Sequence, residues 1–206
     1  MIVRMLIVLK NYTALQCVVN MQIYPVDLAQ DARLLIVEDF FPEELLTQIH
    51  RYLDTWQNNP EEWIQPEPMP LRRQAQGTDP VYDTIRNYFD SNTVLTRFQQ
   101  YVPGTRLFVS NFAIWLDQTG TGPLAAHYEQ SDSRLAQIFV TKQPNAAAGT
   151  TIYNDQDDVL IQLPYRNNFG WFFDRGSTVR HGRANPVPTA TDRFIIMAWY
   201  GDYGPE

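Results

Sequence analysis

Through the second half of the chain, short runs rich in β-branched and aromatic residues alternate with turn residues. This texture restricts the possible folds more than any other feature of the sequence. Strands are expected near 106–115 (RLFVSNFAIW), 124–129 (LAAHYE), 135–141 (LAQIFVT), 149–153 (GTTIY), 158–163 (DVLIQL), 170–173 (GWFF), 177–181 (STVRH) and 193–200 (RFIIMAWY). Eight short strands need two sheets packed face to face to bury their apolar sides. With a helical segment in front of them, they predict an α+β, mainly β chain. Its expected form is a double-stranded β-helix (jelly roll) with the N-terminal helices packed on one sheet.

The segment ARLLIVEDFFPEELLTQIHRYLDTW predicts a strand, a turn and a helix. Pro42 suits the start of the helix, and Glu43 and Glu44 suit the positive end of its dipole. Leu45, Leu46, Ile49, Leu53 and Trp56 recur at helical spacing and form the buried stripe. His50 lies beside that stripe and is expected to be a partly exposed helix residue rather than a ligand. The proline-rich stretch QNNPEEWIQPEPMPLRRQAQGTDP predicts a long surface loop over 57–80. Two short helices follow, the first with a stripe of Val81, Ile85, Tyr88 and Phe89, the second capped by Ser91 or Asn92.

Residues 1–20 are apolar but interrupted by Arg4 and Lys10, and their longest clean run, MLIVL, is too short for a membrane span or a signal-peptide core. They are expected to be an extension that adds little to the fold. Residues 21–206 then form a single domain, with a helical support region over about 33–101 and a β core over about 105–201. A net charge of −7 argues against a protein that holds nucleic acid by neutralising phosphates, and Arg72-Arg73 is too short to be a basic patch. The single cysteine, Cys17, leaves no intrachain disulfide and no cysteine-rich zinc site, which fits a cytoplasmic protein.

The chemistry-bearing residues lie on the expected strands. In a strand, residues i and i+2 share a face, so His127 and Glu129 can converge on one ion while Tyr128 points away. With 23 acids in 206 positions, about one histidine in nine has such a partner by chance, so the pair alone decides little. His181, on the second-to-last strand, adds weight, because a jelly roll can bring an early and a late strand side by side. Two histidines and one carboxylate form a facial triad suited to non-haem Fe(II), with three positions left open. Asp132 is the alternative carboxylate. On the last strand Arg193, Ile195, Met197 and Trp199 share a face. If that face is buried, Arg193 needs an anion, and a ligand carboxylate would match its fork. If instead it sits at an exposed strand start, Asp192 can pair with it. Trp115 reads as core, or as lining the mouth of a pocket.

Together these residues resemble the Fe(II)- and 2-oxoglutarate-dependent dioxygenase superfamily, specifically its prolyl-hydroxylase-like and phage-type members. LLIVEDFFPEEL is similar to that family's opening strand and helix. IWLDQTGTGPLAAHYE resembles the approach to the first metal ligand, with an Asp-x-x-Gly turn ahead of a His-x-acid pair. GTTIY, NNFGWFFDRGSTVRHG and TDRFIIMAWYG resemble the remaining core strands. The resemblance implies His127, Glu129 and His181 as iron ligands and Arg193 as the residue that binds the distal carboxylate of 2-oxoglutarate. It also implies O2-dependent oxidative decarboxylation of 2-oxoglutarate to succinate and CO2, coupled to hydroxylation of a small-molecule or peptidyl substrate. Two positions depart from the family pattern. Glu129 stands where aspartate is commoner, and Ile195 stands where many members have a hydroxyl residue two positions after the arginine. Tyr153, Thr141 and Gln137 are the candidates to help Arg193 hold the cosubstrate. Two other readings are a cupin-like metal-binding jelly roll without 2-oxoglutarate and a catalytically silent phage accessory or binding protein.

Overall fold

The structure, a computed structural model, describes residues 20–28, 33–66, 69–129, 134–174 and 180–203. The expectation for residues 1–20 therefore falls almost wholly outside the described residues, as do Asp132 and the first part of the strand expected at 177–181.

The described chain forms three layers. An eight-stranded sheet occupies the middle, in the order β1 (Gln22–Asp27), β2 (Arg33–Glu38), β10 (Phe169–Phe173), β7 (Arg134–Val140), β12 (Arg193–Asp202), β5 (Leu107–Asp117), β4 (Arg72–Ala75) and β3 (Trp63–Ile64). One face carries three helices: α1 (Glu43–Asp54), α2 (Pro80–Phe89) and α3 (Asn92–Gln99). The other face carries a four-stranded sheet in the order β6 (Leu124–His127), β11 (Arg180–Arg183), β8 (Asn145–Tyr153) and β9 (Val159–Tyr165). Every described strand pairing is antiparallel. This is the expected jelly roll with its helices on one sheet.

The middle strands have no solvated face, and their sequences reflect it. Five consecutive residues of β10 (FGWFF) and six of β7 (LAQIFV) are buried. Alternation divides them between two cores. Leu35, Val37, Ile138, Phe172 and Ile196 meet the helical stripe of Leu45, Ile49, Leu53, Ile85, Phe89 and Phe98. Leu34, Phe139, Trp171, Phe173 and Ile195 meet Ile152, Leu163 and Tyr165 of the small sheet. Gly170 allows β10 to lie close against β7, because a Cβ there would lie 2.0 Å from the Gln137 carbonyl oxygen.

The helix ends follow the sequence. Pro42 sits at the N-cap of α1 in extended conformation, Asp79 caps α2 by accepting from Val81 N, and Ser91 caps α3 by accepting from Val94 N. His50 is half-buried and lines a cavity on the helical side, away from the other two histidines.

The segment 57–80 departs from expectation. It is not wholly loop: Trp63–Ile64 and Arg72–Ala75 add two short strands to the edge of the large sheet. Buried Glu62 fixes it in place. Its carboxylate accepts from Tyr52 Oη at 2.5 Å, Gly77 N at 3.1 Å, Thr78 N at 2.7 Å, Asp79 N at 3.1 Å and the Thr78 hydroxyl. β1 was also unexpected. Pro25 and its largely exposed residues hide it, and both suit an edge strand.

Candidate metal centre and anion pocket

The small sheet brings two histidines together. His127 ends β6, His181 lies on β11, and the two are direct cross-strand partners with ring centroids 4.6 Å apart. Glu129, two residues beyond His127, turns to the same side. Its Oε1 lies 3.9 Å from His127 Nε2 and 3.5 Å from His181 Nε2. One ligand atom from each of the three residues falls within 4.8 Å of the other two. Tyr128 points away, donating to Asp155 Oδ1 at 2.7 Å.

Neighbouring groups aim these side chains. His127 Nδ1 lies 3.0 Å from the Ala125 carbonyl oxygen, a contact in which Nδ1–H donates, and this turns Nε2 toward the other two residues. Trp199 Nε1 donates to Glu129 Oε2 at 3.2 Å, leaving Oε1 toward the imidazoles. Trp171 and Phe173 pack against His181, each with its ring centroid 5.3 Å away. Burial opposes ionisation of Glu129. Hydrogen bonds from His181 and Trp199, together with the histidine charges, outweigh it and hold the carboxyl below its ordinary range.

The triad opens on a cavity of about 310 Å³ between the sheets, lined from the large sheet by Arg72, Trp115, Gln137, Arg193, Ile195, Met197 and Trp199. Arg193, Ile195, Met197 and Trp199 thus do share one face, directed at the triad. Arg193 is buried, and its partner is not Asp192. It donates from NH1 to Asp117 Oδ2 at 3.0 Å, from Nε to the Ala148 carbonyl oxygen at 2.5 Å and from NH2 to Thr150 Oγ1 at 3.3 Å. Asp117 stands opposite Arg193 in the β5–β12 ladder and opposite Arg72 in the β4–β5 ladder, so a cation, an anion and a cation lie in one row across three strands. Arg72 grips the Asp117 carboxylate side-on, with Nε at 2.5 Å from Oδ1 and NH2 at 3.1 Å from Oδ2. Arg183 NH2 lies 3.8 Å from Asp117 Oδ2. Burial raises the Asp117 carboxyl, but the Arg72 hydrogen bond and the three guanidinium charges overcome this and hold it low. Arg183 is pushed down to about 10 by burial and by the Arg193 charge.

The candidates for assisting Arg193 separate in space. Gln137 lines the cavity and donates to Thr150 Oγ1 at 2.9 Å. Thr141 lines the cavity on the helical side, and Tyr153 pairs with Arg180 at the far end of β11. A hydroxyl hydrogen-bonded to Arg193 belongs to Thr150, on the facing sheet, while Ile195 occupies the cavity wall. Thr150 Oγ1 accepts from both Gln137 and Arg193, so its own proton remains for another acceptor. Sequence reasoning missed Asp117, Arg72, Arg183 and Thr150. Two signals were present: Asp117 opens the Asp-x-x-Gly turn, and Arg183 stands two residues after His181.

The layers and the sheet order make a jelly roll, a fold that solved 2-oxoglutarate-dependent enzymes share. Solved structures of such proteins superimpose on the chain. The non-haem α-ketoglutarate-dependent epimerase SnoN from nogalamycin biosynthesis aligns with TM-score 0.63 and 12% identity, covering 82% of this chain and 77% of that one. A prolyl hydroxylase from Trichoplax adhaerens, in complex with a hypoxia-inducible-factor peptide fragment, aligns at 0.62 and 12%, covering 82% and 83%. HygX from Streptomyces hygroscopicus, with nickel, 2-oxoglutarate and hygromycin B bound, aligns at 0.59 and 12%, covering 84% and 82%. At this identity the likeness establishes the fold. The phage-type part of the expected resemblance finds no support among these structures. No protein-family model and no curated protein sequence matches the chain. Among the described residues no helix is long and apolar enough to cross a membrane.

Proposed function

We propose that this protein is an Fe(II)- and 2-oxoglutarate-dependent oxygenase that hydroxylates a small-molecule or peptidyl substrate. The observation that carries this reading is the convergence of His127, Glu129 and His181 at one end of a cavity with buried Arg193 in its wall. The donor set fits the metal: two neutral imidazoles and one carboxylate make a facial triad that leaves positions for exchangeable ligands. A closed structural zinc site would need a fourth protein ligand, and none is found among the described residues. When bound, the iron supplies the reduction of O2 that turns 2-oxoglutarate and substrate C–H into succinate, CO2 and the hydroxylated product.

The chain's own part is binding and orientation. Arg193 offers the guanidinium fork for the distal carboxylate, and Thr150 offers its free hydroxyl proton. Gln137 fixes the Thr150 rotamer, and Asp117 keeps the Arg193 side chain directed across the gap. Trp199 keeps Glu129 turned toward the histidines, and Ile195 and Met197 exclude water from the cavity wall. The buried arginine favours this reading over a cupin-like site without 2-oxoglutarate, which has no use for an anion anchor.

The test is an anaerobic titration of the purified protein with Fe(II) and then 2-oxoglutarate, followed by admission of O2 and measurement of succinate. Stoichiometric binding of both, and slow succinate release without added substrate, are expected. Binding of neither refutes the proposal.

A further inference from the structure

The cluster that anchors Arg193 carries more positive charge than the cosubstrate's distal carboxylate uses. Arg72, Arg183 and Arg193 gather around the single carboxylate of Asp117, leaving two positive charges in excess. Uncompensated buried charge is costly, so such a surplus marks a place for anions. Arg193 takes one. Arg183 satisfies its donors on neutral carbonyl oxygens, with NH1 donating to Thr121 O and Asn185 O at 3.1 and 2.8 Å and NH2 to Gly122 O at 2.7 Å, so among the described residues the second positive charge still lacks an anion.

Arg72 differs. Asp117 occupies its Nε–NH2 edge, and the nearest partner of NH1 is the Met69 thioether at 4.0 Å, a poor acceptor. Among the described residues, the second, end-on fork of the guanidinium therefore meets no oxygen acceptor. Arg72 stacks over Trp115, 5.2 Å from the ring centroid, with its side chain 15% exposed. It lines both the triad cavity and an adjoining groove of about 230 Å³. The groove is walled by Met69, Pro70 and Leu71 on one side and by Pro123 and Leu124 on the other. Met69 and Leu71 are 43% and 40% exposed, so the apolar wall of the groove is open to a ligand.

We propose that Arg72 holds an acidic group of the primary substrate, a carboxylic acid whose apolar body lies in the groove between Met69–Leu71 and Pro123–Leu124. This rests on the oxygenase reading, since it assigns the second ligand of the same cavity. A bidentate guanidinium–carboxylate pair supplies recognition, and the groove supplies apolar contact next to the triad.

The probes are hexanoate and 3-phenylpropanoate against their primary amides. They are titrated by calorimetry, without O2, into protein holding Fe(II) and saturating 2-oxoglutarate. The acids are expected to bind at least about tenfold more tightly than the amides. Arg72→Gln should erase that preference while 2-oxoglutarate still binds, and Arg72→Lys should restore part of it. A Met69→Ala/Leu71→Ala variant should weaken acid and amide alike by roughly tenfold. Four results would each overturn the proposal: equal affinity for acid and amide; acid preference surviving Arg72→Gln; acids binding only by displacing 2-oxoglutarate; no acid binding at millimolar concentration. Loss of 2-oxoglutarate binding in Arg72→Gln would also overturn it, by making Arg72 part of the cosubstrate site. Failure of 2-oxoglutarate to bind the unaltered protein would instead reject the oxygenase reading. The acid-against-amide comparison with and without Arg72 then still decides whether the groove takes acids.

Discussion

Replacing Asp117 by Asn probes the electrostatics of the cavity wall with little change of shape. Asp117 is fully buried and accepts three hydrogen bonds, two from Arg72 and one from Arg193, with Arg183 close by. Asn keeps the volume and one acceptor, but removes the charge and turns an N–H toward a guanidinium. Each charge-assisted bond contributes about 1.5–3 kcal/mol and a neutral one about 1 kcal/mol. Removing one member of a buried ion pair costs about 3–5 kcal/mol, because the remaining charges stay desolvated. Slight exposure of Arg72 points to the lower half of that range, so about 3–4 kcal/mol is expected. With a urea slope of about 2 kcal/mol/M, the unfolding midpoint should fall by roughly 1.5–2 M, followed by the fluorescence of the five tryptophans. The difference should also depend on pH. The folded carboxyl is held below its ordinary value of 3.8, so its contribution is complete above that pH and fades as pH falls through the lower, folded value. A midpoint shift under about 0.5 M with unchanged slope would show the arginines to be compensated elsewhere and refute the reasoning.

Other perturbations separate the parts of the site. His127→Ala should abolish stoichiometric Fe(II) binding, measured anaerobically, while changing the unfolding free energy of the metal-free protein in urea by less than about 1 kcal/mol, since the ring is partly exposed. Arg193→Ala should weaken 2-oxoglutarate by more than about tenfold at unchanged metal stoichiometry, provided the protein folds by circular dichroism. Thr150→Val, near-isosteric but without the hydroxyl, should weaken 2-oxoglutarate by about five- to tenfold, whereas Thr150→Ser should not. Glu62→Gln should destabilise by about 2–3 kcal/mol in urea unfolding. Burial alone would raise the Glu62 carboxyl, but the hydrogen bonds from Thr78, Tyr52 and Gly77 prevail and lower it. Its stabilisation is therefore full above its ordinary value of 4.5 and lost as pH falls through the depressed value, a pH component that Glu62→Gln should lack.

The residues that sequence reasoning found and missed differ in the information each needs. The core strands were legible because strands buried on both faces become nearly continuous apolar runs, as in FGWFF and RFIIMAWY, although most of the strand expected at 177–181 falls outside the described residues. His127 and Glu129 were legible as a pair because residues two apart in extended chain can share a face whatever the register, and His181 through the jelly roll's pairing of an early with a late strand. Asp117 and Arg72 were not. Their meaning comes from standing opposite Arg193 and each other, and cross-strand register is set by three-dimensional pairing that a single sequence does not display. Arg72-Arg73 was weighed as a basic patch and dismissed, yet the strand there alternates, with Arg72 over Trp115 and Arg73 donating to Gln65. The edge strands β1, β3 and β4 were hidden for a related reason: an edge tolerates proline and polar residues that a central strand rejects.

His127 and His181 are neighbours in the four-stranded sheet, while Arg193 stands in a row with Asp117 and Arg72 in the eight-stranded one. Under the proposed function the metal-bound end of the keto acid would be held by the four-stranded sheet, and its distal carboxylate by Arg193 of the eight-stranded sheet with Thr150 beside it, so the cosubstrate has to reach toward a guanidinium whose sheet stands about 10 Å away, a spacing fixed by the packing of Phe139, Trp171 and Ile195 against Ile152 and Leu163. The apolar core between the sheets then acts as a molecular ruler. It sets which chain length of dicarboxylic keto acid fits, so oxaloacetate should be too short and 2-oxoadipate too long. Thinning that core at Leu163 should alter cosubstrate choice without touching any residue that contacts the cosubstrate.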